Sequence, residues 1–353
     1  MISTAPPFVP SIDSGQTLRL SKDERRVFQQ NRFLEAGIQS AVSGGSPLTP
    51  GRKPIDHSPR GPAACSTIPI RIADLTITLS SYDPGLKVRA QGAIEQFLIE
   101  ESDPDARVRA SWGDLSKVKS GAKIFDSGGL WRLYDDEGLY RFQFHSSVFG
   151  AAPYKEARFN ADFSYGEVTL HHPYFTSGSA AYPLEYPLDE LLVTHLLAHR
   201  RGAEVHSSGV VDDSGNGHLF VGQSGGGKTT MAKLWQQEKG ITILSDDRIV
   251  LRNMDGRIWM YGTPWHGEGG LSDPSRAPLK QIYFLRHGEK NELLPQTKTE
   301  AVGRLFACSF PPFYDPRALD FTLAFFEAVA AAVPCYELSF VPDERVIGFI
   351  VED

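Results

Sequence analysis

The stretch HLFVGQSGGGKTTMAKLW, residues 218–235, constrains the fold of this chain more than any other. Its apolar start leads into a glycine-rich loop that fits the pattern G-x-x-x-x-G-K-[ST] without a gap, and a helix-forming segment follows. Glycines in such a loop let backbone N–H groups approach an anion with no Cβ in the way. The stretch therefore predicts a strand, an anion-binding loop and a helix in direct succession, a unit typical of α/β folds.

This loop predicts a phosphate site for a nucleotide. Lys228 places a positive point charge near the β and γ phosphates, and the Thr229 hydroxyl can complete the ligand shell of Mg²⁺. The dipole of the following helix points its positive end at the same anion. A flexible loop that matches by chance is the alternative, but the flanking strand and helix favour the phosphate site. The predicted phosphate-binding residues are Gly222, Gln223, Ser224, Gly225, Gly226, Gly227, Lys228, Thr229 and Thr230.

Two adjacent carboxylates, Asp246 and Asp247, follow the apolar segment ITILS. An apolar strand that ends in Asp is the usual place for a second carboxylate directed at Mg²⁺. Neighbours on a pleated strand point to opposite sides, so one carboxylate can serve the metal while the other accepts a proton from a hydroxyl nucleophile. A solvated acidic turn is the alternative, and the nearby phosphate loop makes it the weaker one.

These residues carry a resemblance to a known family. VHSSGVVDDSGNGHLFVGQSGGGKTT, followed by LSDDRIVLR, resembles the catalytic domain of HPr kinase/phosphorylase, in which a His-x-x-Gly-like strand, a P-loop and an Asp-Asp-Arg stretch occur in this order. The Lys-Thr-Thr ending of the loop is also similar to phosphoenolpyruvate carboxykinase, which shares that fold. YGTPWHGEGG and the tail from FACSFPPFYDP to VPCYELSFVPDERVIGFI resemble a looser group of HPr-kinase-like bacterial proteins. Members of that group have an added N-terminal domain, and some accompany peptide-modification gene clusters.

The resemblance implies a role for each matching position. The loop from Gly222 to Thr230 would hold the phosphates of ATP, and Asp246 would be the base that activates an acceptor hydroxyl. Asp247 would help Thr229 to hold Mg²⁺. His206 would lie beside the loop near the reacting phosphate, with a satisfied strand histidine as the alternative. Glu268, in a looser match, corresponds to a carboxylate that the family places near the metal.

The resemblance therefore implies an ATP-dependent kinase that transfers the γ-phosphate to a hydroxyl of a peptide, a protein or a small molecule. Asp246, Lys228 and His206 form the predicted catalytic set. The Glu-Ile-Arg-Gly-type stretch and the arginine segment linked to phosphorolysis are not found, which argues against a phosphorylase half-reaction and against HPr as the substrate. A nucleotide-binding regulator that uses ATP as a conformational ligand is the alternative function, and inorganic pyrophosphate stays open as the phosphate donor.

The chain divides into three parts by pattern. Residues 1–66 are rich in Pro, Gly and Ser and predict a poorly ordered leader, with one helix, docked or transient, from Ser21 to Val42. Residues 67–186 alternate in polarity and predict a mostly antiparallel β domain. Residues 187–353 alternate strands and helices. The predicted fold is α/β, or α+β overall: a β-rich domain precedes a P-loop domain with the mixed sheet of the HPr kinase/phosphoenolpyruvate carboxykinase type.

Several segments predict individual elements. IPIRIADLTITL predicts a half-buried strand, WRLYDDEGLYRFQF a hairpin, and RFNADFSYGEVTLHH a second hairpin that turns at Tyr-Gly. PLDELLVTHLLAHRRG predicts a helix between Pro187 and Gly202, and ITILSDDRIVLR predicts one strand.

Composition excludes some classes of protein. The net charge of −7 argues against a nucleic-acid-binding face, and no apolar run reaches the roughly 20 residues of a membrane span. The N-terminus lacks the pattern of a signal peptide, and three scattered cysteines without CxxC spacing indicate a reducing compartment. We expect a cytoplasmic protein whose partner is its phosphoacceptor, not a nucleic acid or a membrane. The sequence does not decide the oligomeric state, and a homo-oligomer is among the options.

Two weaker patterns have competing explanations. His195 and His199 lie four apart on the predicted helix, a spacing that suits a metal, but the Glu of an HExxH motif is missing and an ordinary helix face is favoured. The glycines of GTPWHGEGG suit either a mobile flap over the nucleotide or a structural turn.

Overall fold

The computed structural model describes residues 64–100, 102–118, 121–147, 149–174 and 180–351 of the 353 residues. The predicted leader lies outside these ranges except for residues 64–66, and the predicted helix from Ser21 to Val42 lies outside them entirely. The described chain is a mixed α/β structure with two large sheets and few helices, which confirms the predicted fold class. Within the described ranges, no helix is long and apolar enough to cross a membrane.

A large mixed sheet forms the first half of the fold. The strands are β1 Ser66–Ile72, β2 Leu75–Ser81, β3 Lys87–Val88, β4 Ala106–Gly113, β5 Ala122–Asp126, β6 Trp131–Asp136, β7 Leu139–Phe144, β8 Lys155–Phe159, β9 Tyr165–His171 and β10 Ala180–Ala181. The spatial order of the eight-stranded sheet is β1-β2-β4-β9-β8-β7-β6-β5. Its neighbours are antiparallel except for two parallel pairs, β2 with β4 and β4 with β9. β3 and β10 form a separate parallel pair.

The second half surrounds another mixed sheet with helices. Its strands are β11 Ala203–Val211, β12 Gly217–Val221, β13 Thr242–Ser245, β14 Arg248–Met254, β15 Arg257–Tyr261, β16 Arg276–His287, β17 Glu292–Pro295 and β18 Cys335–Phe340. The helices are α1 Leu188–Ala198, α2 Lys228–Trp235, α3 Lys298–Ala307, α4 Pro316–Ala332 and α5 Arg345–Val351. β12 pairs with β11 on one side and with β16 on the other, and all five of its residues are buried. The phosphate loop therefore leaves the end of a central, rigid strand.

In the first sheet, turn residues decide where the chain reverses, and alternating polarity alone does not. IPIRIADLTITL forms two antiparallel strands, not one, because Ala73 and Asp74 adopt the left-handed region at φ 51° and 56° and reverse the chain. The hairpin at WRLYDDEGLYRFQF is confirmed, with Glu137 and Gly138 at its turn. The hairpin predicted over RFNADFSYGEVTLHH forms, but its turn comes before the predicted Tyr-Gly pair. Residues 160–164 form its turn, and the Tyr-Gly pair lies inside β9.

The segment ITILSDDRIVLR is also two strands rather than one. β13 ends at Ser245 and β14 begins at Arg248, so Asp246 and Asp247 lie in the break between them. The Ser245 hydroxyl oxygen explains the break, since it accepts hydrogen bonds from the backbone N–H of Asp247 and of Arg248, both at 3.2 Å. The predicted alternation of the two acids along a pleated strand is therefore wrong, and a turn sets their directions instead.

Helix α1 joins the two halves of the fold. Its fully buried side chains, including Leu188 and Leu192, belong to the apolar cluster of the first sheet, as Phe142 does. The helix predicted between Pro187 and Gly202 is confirmed. The division of the chain after residue 186 stays a prediction. Polar contacts tie the halves as well, because Arg252 Nη1 donates to Ala73 O at 2.8 Å.

The first turn of α1 carries a buried carboxyl group, Asp189. Burial raises the pKa of Asp189 from 3.8 to about 7, although a hydrogen bond from the backbone N–H of Glu190 opposes this. Since the folded-state pKa lies above the unfolded value, the free energy of unfolding falls as the pH rises from about 4 to about 7, and it stays lowered above that.

Asp189→Asn should remove this pH dependence. Between pH 5 and pH 8 the wild type should lose stability on the order of 2 kcal/mol more than the variant does. Denaturant unfolding at the two pH values measures the difference. Parallel stability losses in the two proteins would show that Asp189 ionises without cost in the folded chain.

Candidate functional site

The phosphate loop runs from the end of β12 to the start of α2. Two of its glycines adopt left-handed backbone conformations, Gly225 at φ 80° and Gly227 at φ 95°. The predicted helix after the loop is confirmed and begins at Lys228. A Cβ on Gly227 would lie 2.6 Å from Cζ of Phe340, so only glycine fits at this position. The sequence therefore builds a tight loop that ends on a helix N-terminus, the geometry that binds phosphate.

Lys228 is held inside this loop. Its side chain is 5% exposed, and Nζ donates to the backbone oxygens of Gly222 at 2.8 Å and Gln223 at 3.1 Å. Burial lowers the pKa of Lys228 to about 8, and the nearby Asp247 carboxylate opposes that shift. An ammonium group has three protons, so these two contacts leave one proton to donate to an anion. The negative charge of a bound phosphate would raise this pKa and favour the charged form of the amine further.

Asp247 lies among charged and polar side chains. Its Oδ1 accepts from Nε2 of His206 at 3.0 Å, and its Oδ2 accepts from Nη1 of Arg248 at 2.6 Å. Burial alone would raise the pKa of Asp247, but the Arg248 guanidinium, the His206 hydrogen bond and the Lys228 charge hold it well below its ordinary value. Burial lowers the pKa of His206 to about 4, so the imidazole is neutral near pH 7 and donates to the carboxylate. Asp247 is therefore a permanent anion at the site.

Asp246 faces a different part of the chain. The residue is fully buried, and its two oxygens accept from the backbone N–H groups of Gly267 at 2.9 Å and Gly269 at 2.8 Å. The segment GTPWHGEGG is thus hydrogen-bonded to Asp246 through two of its backbone N–H groups. Thr229 lies nearby, since a Cβ on Gly269 would meet Oδ2 of Asp246 at 2.5 Å and Cγ2 of Thr229 at 3.3 Å. The segment GTPWHGEGG therefore lies close both to Asp246 and to Thr229 of the phosphate loop.

The structure brings together most of the predicted site residues. His206 contacts Asp247, and Lys228 lies close enough to interact electrostatically with both acids. Glu268 lies on the same glycine loop as the contacts of Asp246, and its side chain is exposed. The fold therefore brings together site residues that lie more than 60 positions apart in the sequence.

Of the two histidines with metal-like spacing, His195 lies on α1 and both of its ring nitrogens contact protein atoms. His195 is buried, its Nδ1 lies 2.5 Å from Leu191 O, and its Nε2 contacts the Tyr314 hydroxyl. Its ring also stacks on Phe163 at a centroid distance of 4.1 Å. His195 is thus a satisfied core residue, as the favoured alternative predicts.

Sequence reasoning missed three residues next to Asp247. Arg248 is buried, and its Nε contacts Glu190 Oε1 at 2.9 Å and Glu204 Oε1 at 3.2 Å. Arg248 could have been found, because it completes the Asp-Asp-Arg stretch. The two glutamates carry no signal in the sequence, since each occupies an ordinary position of a helix or a strand.

The candidate residues suit a Mg²⁺ ion that is shared with a nucleotide phosphate better than a metal ion held by protein ligands alone. Among the described residues, no group of three or more His, Cys, Asp or Glu side chains could hold an ion. Mg²⁺ commonly binds through one or two carboxylates together with phosphate oxygens and waters. The Thr229 hydroxyl and the acids at 246 and 247 supply that kind of incomplete ligand set, which a bound nucleotide phosphate would complete.

Comparison with known proteins finds distant structural similarity. No protein-family profile and no curated protein matches the sequence. Among solved structures, the Hpr(Ser) kinase/phosphatase from Coxiella burnetii is similar over 42% of this chain and 93% of that chain, with 13% sequence identity and a TM-score of 0.27. Similarity at this level assigns no family to the chain, so its function has to follow from the geometry of the phosphate loop and its neighbours.

Proposed function

We propose that this protein is a Mg²⁺- and ATP-dependent phosphotransferase that moves the γ-phosphate to a hydroxyl of a peptide, a protein or a small molecule. The observation that carries the proposal is the buried Lys228 ammonium, which lies in a glycine loop at a helix N-terminus and beside two buried carboxylates. A phosphate there would meet loop N–H groups, the helix dipole and one lysine charge at once. Phosphoryl transfer needs this electrostatic positioning more than covalent help from the protein.

In the proposed mechanism, Asp246 is the base and Asp247 directs Mg²⁺. The N–H groups of Gly267 and Gly269 use two of the roughly four lone-pair sites of the Asp246 carboxylate, so a lone pair remains to accept the proton of an acceptor hydroxyl that reaches it. Asp247 stays ionised and can bind a cation or its water. Mg²⁺, when bound, would neutralise developing charge on the phosphates. Lys228 would stabilise the transferred group, and His206 would fix the direction of Asp247.

The position of Asp246 beside Thr229 also suits the exchanged assignment, with Asp246 on the metal and Asp247 as the base. The low pKa of Asp247 disfavours it as a proton acceptor, which is why we keep the first assignment. Substitution of each acid in turn separates the two assignments.

A non-catalytic nucleotide-binding regulator would use the same loop. The two proposals differ in turnover: a phosphotransferase with its acceptor consumes ATP stoichiometrically with product, whereas a regulator binds ATP and transfers nothing. Single-turnover measurements with γ-labelled ATP and candidate Ser/Thr peptides, read as label on the acceptor, test the enzyme directly. ATP that stays bound and uncleaved with every acceptor class would favour the regulator.

Lys228→Ala should weaken binding of Mg-ATP by about tenfold to a hundredfold, because it removes one charge-assisted contact worth ~1.5–3 kcal/mol. Isothermal calorimetry measures the affinity. Lys233→Ala is the control, since Lys233 lies in the last turn of the same helix, away from its N-terminus. Equal affinities in Lys228→Ala and the wild type would mean that this loop is not the nucleotide site.

A further inference from the structure

The Arg248 guanidinium is fixed on several sides inside the protein. Its Nε donates to Glu190 Oε1 on α1 at 2.9 Å, and Glu204 Oε1 on β11 lies 3.2 Å from the same nitrogen. The ring of Phe310 covers the guanidinium carbon at 4.2 Å from the ring centroid. Nη1 then donates to Asp247 twice, to Oδ2 at 2.6 Å and to the backbone oxygen at 3.2 Å. Arg248 therefore holds both the side chain and the backbone of Asp247 in one place.

A purely structural role would not require this arrangement. Three buried carboxyl groups, those of Glu190, Glu204 and Asp247, surround this one guanidinium. Burial and the charge of Glu190 raise the pKa of Glu204 well above its ordinary value, a sign that the cluster is electrostatically unfavourable. Buried ion pairs are poor stabilisers compared with apolar packing. The arrangement is better explained by what it positions, which is the carboxylate of Asp247.

The helix that supplies Glu190 packs on the other half of the fold. The leucines of α1, such as Leu188 and Leu192, lie in the apolar cluster of the first sheet. One turn of the helix thus faces that sheet, while Glu190 reaches the phosphate site through Arg248. The first half of the fold consequently has a rigid connection to an acid of the candidate site.

We propose that Glu190 is a positioning residue of the phosphate site, which acts on Asp247 through Arg248 and makes helix α1, packed on the first sheet, part of that site. This inference rests on the proposed function, since it assigns Glu190 to the same Mg-ATP site. Glu190 touches neither nucleotide nor acceptor in this scheme. It fixes the plane of the guanidinium, which fixes the direction of the Asp247 carboxylate.

The test compares Glu190→Gln with Asp247→Asn, singly and combined, in the full chain. Two site quantities are measured. One is the Mg²⁺-dependent affinity for ATP, obtained by calorimetry with Mg²⁺ and with EDTA, and the other is the turnover of ATP. We expect Glu190→Gln to change by about tenfold the same quantity that Asp247→Asn changes. In the Asp247→Asn background, Glu190→Gln should change it by less than twofold, because residues that act through one another are not additive. ATP affinity in EDTA should stay within twofold of the wild type.

Glu156→Gln is the matched control. Glu156 is also a buried carboxylate paired with an arginine, Arg158 at 3.1 Å, but it lies on β8 and its other oxygen accepts from Gln143. It should lower the melting temperature and leave both site quantities unchanged. If Glu190→Gln does not fold, Arg248→Lys replaces it. That variant keeps the charge, loses the planar fork and should reproduce the effect of Asp247→Asn.

Each outcome decides the inference. Glu190→Gln that behaves like Glu156→Gln, or effects of Glu190→Gln and Asp247→Asn that add in full, would overturn it. If the wild type binds Mg-ATP and transfers nothing, the proposed transferase activity is wrong. The inference about Glu190 would still be decided by the comparison of Mg-ATP binding. A wild type that does not bind Mg-ATP would overturn both.

Discussion

Replacing Asp246 by asparagine is expected to slow phosphoryl transfer by about 10²–10⁴ while ATP binding survives. The amide keeps the shape of the carboxylate but cannot accept a proton from the acceptor hydroxyl. Binding should even improve slightly, because one negative charge leaves the vicinity of the phosphates. The measurement is a single-turnover rate with labelled ATP, together with the ATP affinity of the same protein.

The amide also disturbs the glycine loop, and a control has to separate that effect. In Asp246→Asn one side-chain oxygen becomes an NH₂ group, which cannot accept from the N–H of Gly267 or Gly269. Gly269→Ala keeps the carboxylate but places a Cβ 2.5 Å from Oδ2 of Asp246, which pushes the loop away. If Gly269→Ala slows transfer as much as Asp246→Asn does, the loop rather than the proton explains the loss.

The companion variant, Asp247→Asn, separates the roles of the two acids. It should weaken the Mg²⁺-dependent part of ATP binding by about tenfold, since a carboxylate near the metal becomes a neutral amide. The exchanged pattern, with Mg²⁺ dependence lost in Asp246→Asn and transfer lost in Asp247→Asn, would exchange the assignments. Wild-type turnover in Asp246→Asn would remove the base and favour the regulator. Identical behaviour of both variants would mean that the acids do not divide the work.

The sequence predicts the parts of the site that are local in the chain. The phosphate loop, its strand and its helix lie within residues 217–235, and the glycines and Lys228 impose that geometry wherever the rest of the chain goes. The hairpin at residues 131–144 is local for the same reason, because Glu137 and Gly138 take up left-handed conformations at its turn.

The remaining features depend on contacts that no local pattern encodes. Glu190 is 58 residues from Arg248 in sequence, and only the packing of α1 on the first sheet brings them together. The parallel pairs of the first sheet likewise join strands far apart in the chain, which alternation in polarity cannot reveal. The break before Arg248 is not predicted, because apolar strand-like residues stand on both sides of Ser-Asp-Asp-Arg and suggest one continuous strand. A single hydroxyl, Ser245, decides the turn.

Among glycine-to-alanine substitutions in the phosphate loop, Gly227→Ala should be the most damaging. A φ of 95° costs an L-residue ~1–2 kcal/mol, and the new Cβ would lie 2.6 Å from the ring of Phe340, which is fully buried and cannot move aside cheaply. We expect the free energy of unfolding to fall by ~2–4 kcal/mol. Mg-ATP affinity should fall by about tenfold or more, because α2 starts at the next residue and its N–H groups would shift away from the phosphates. Denaturant unfolding and calorimetry measure the two effects.

Gly225→Ala is the matched control for the contact with Phe340. Gly225 has a similar φ of 80°, but a Cβ there would meet no atom within 4 Å, so this variant carries the backbone strain without the clash. Its stability loss should stay near ~1 kcal/mol. Phe340→Leu, added to Gly227→Ala, should recover part of the stability beyond what the two single variants predict, since the clashing Cζ is gone. Equal losses in the two glycine variants, with no recovery from Phe340→Leu, would show that strain alone sets the cost. The packing of β18 against the phosphate loop would then play no part in holding it.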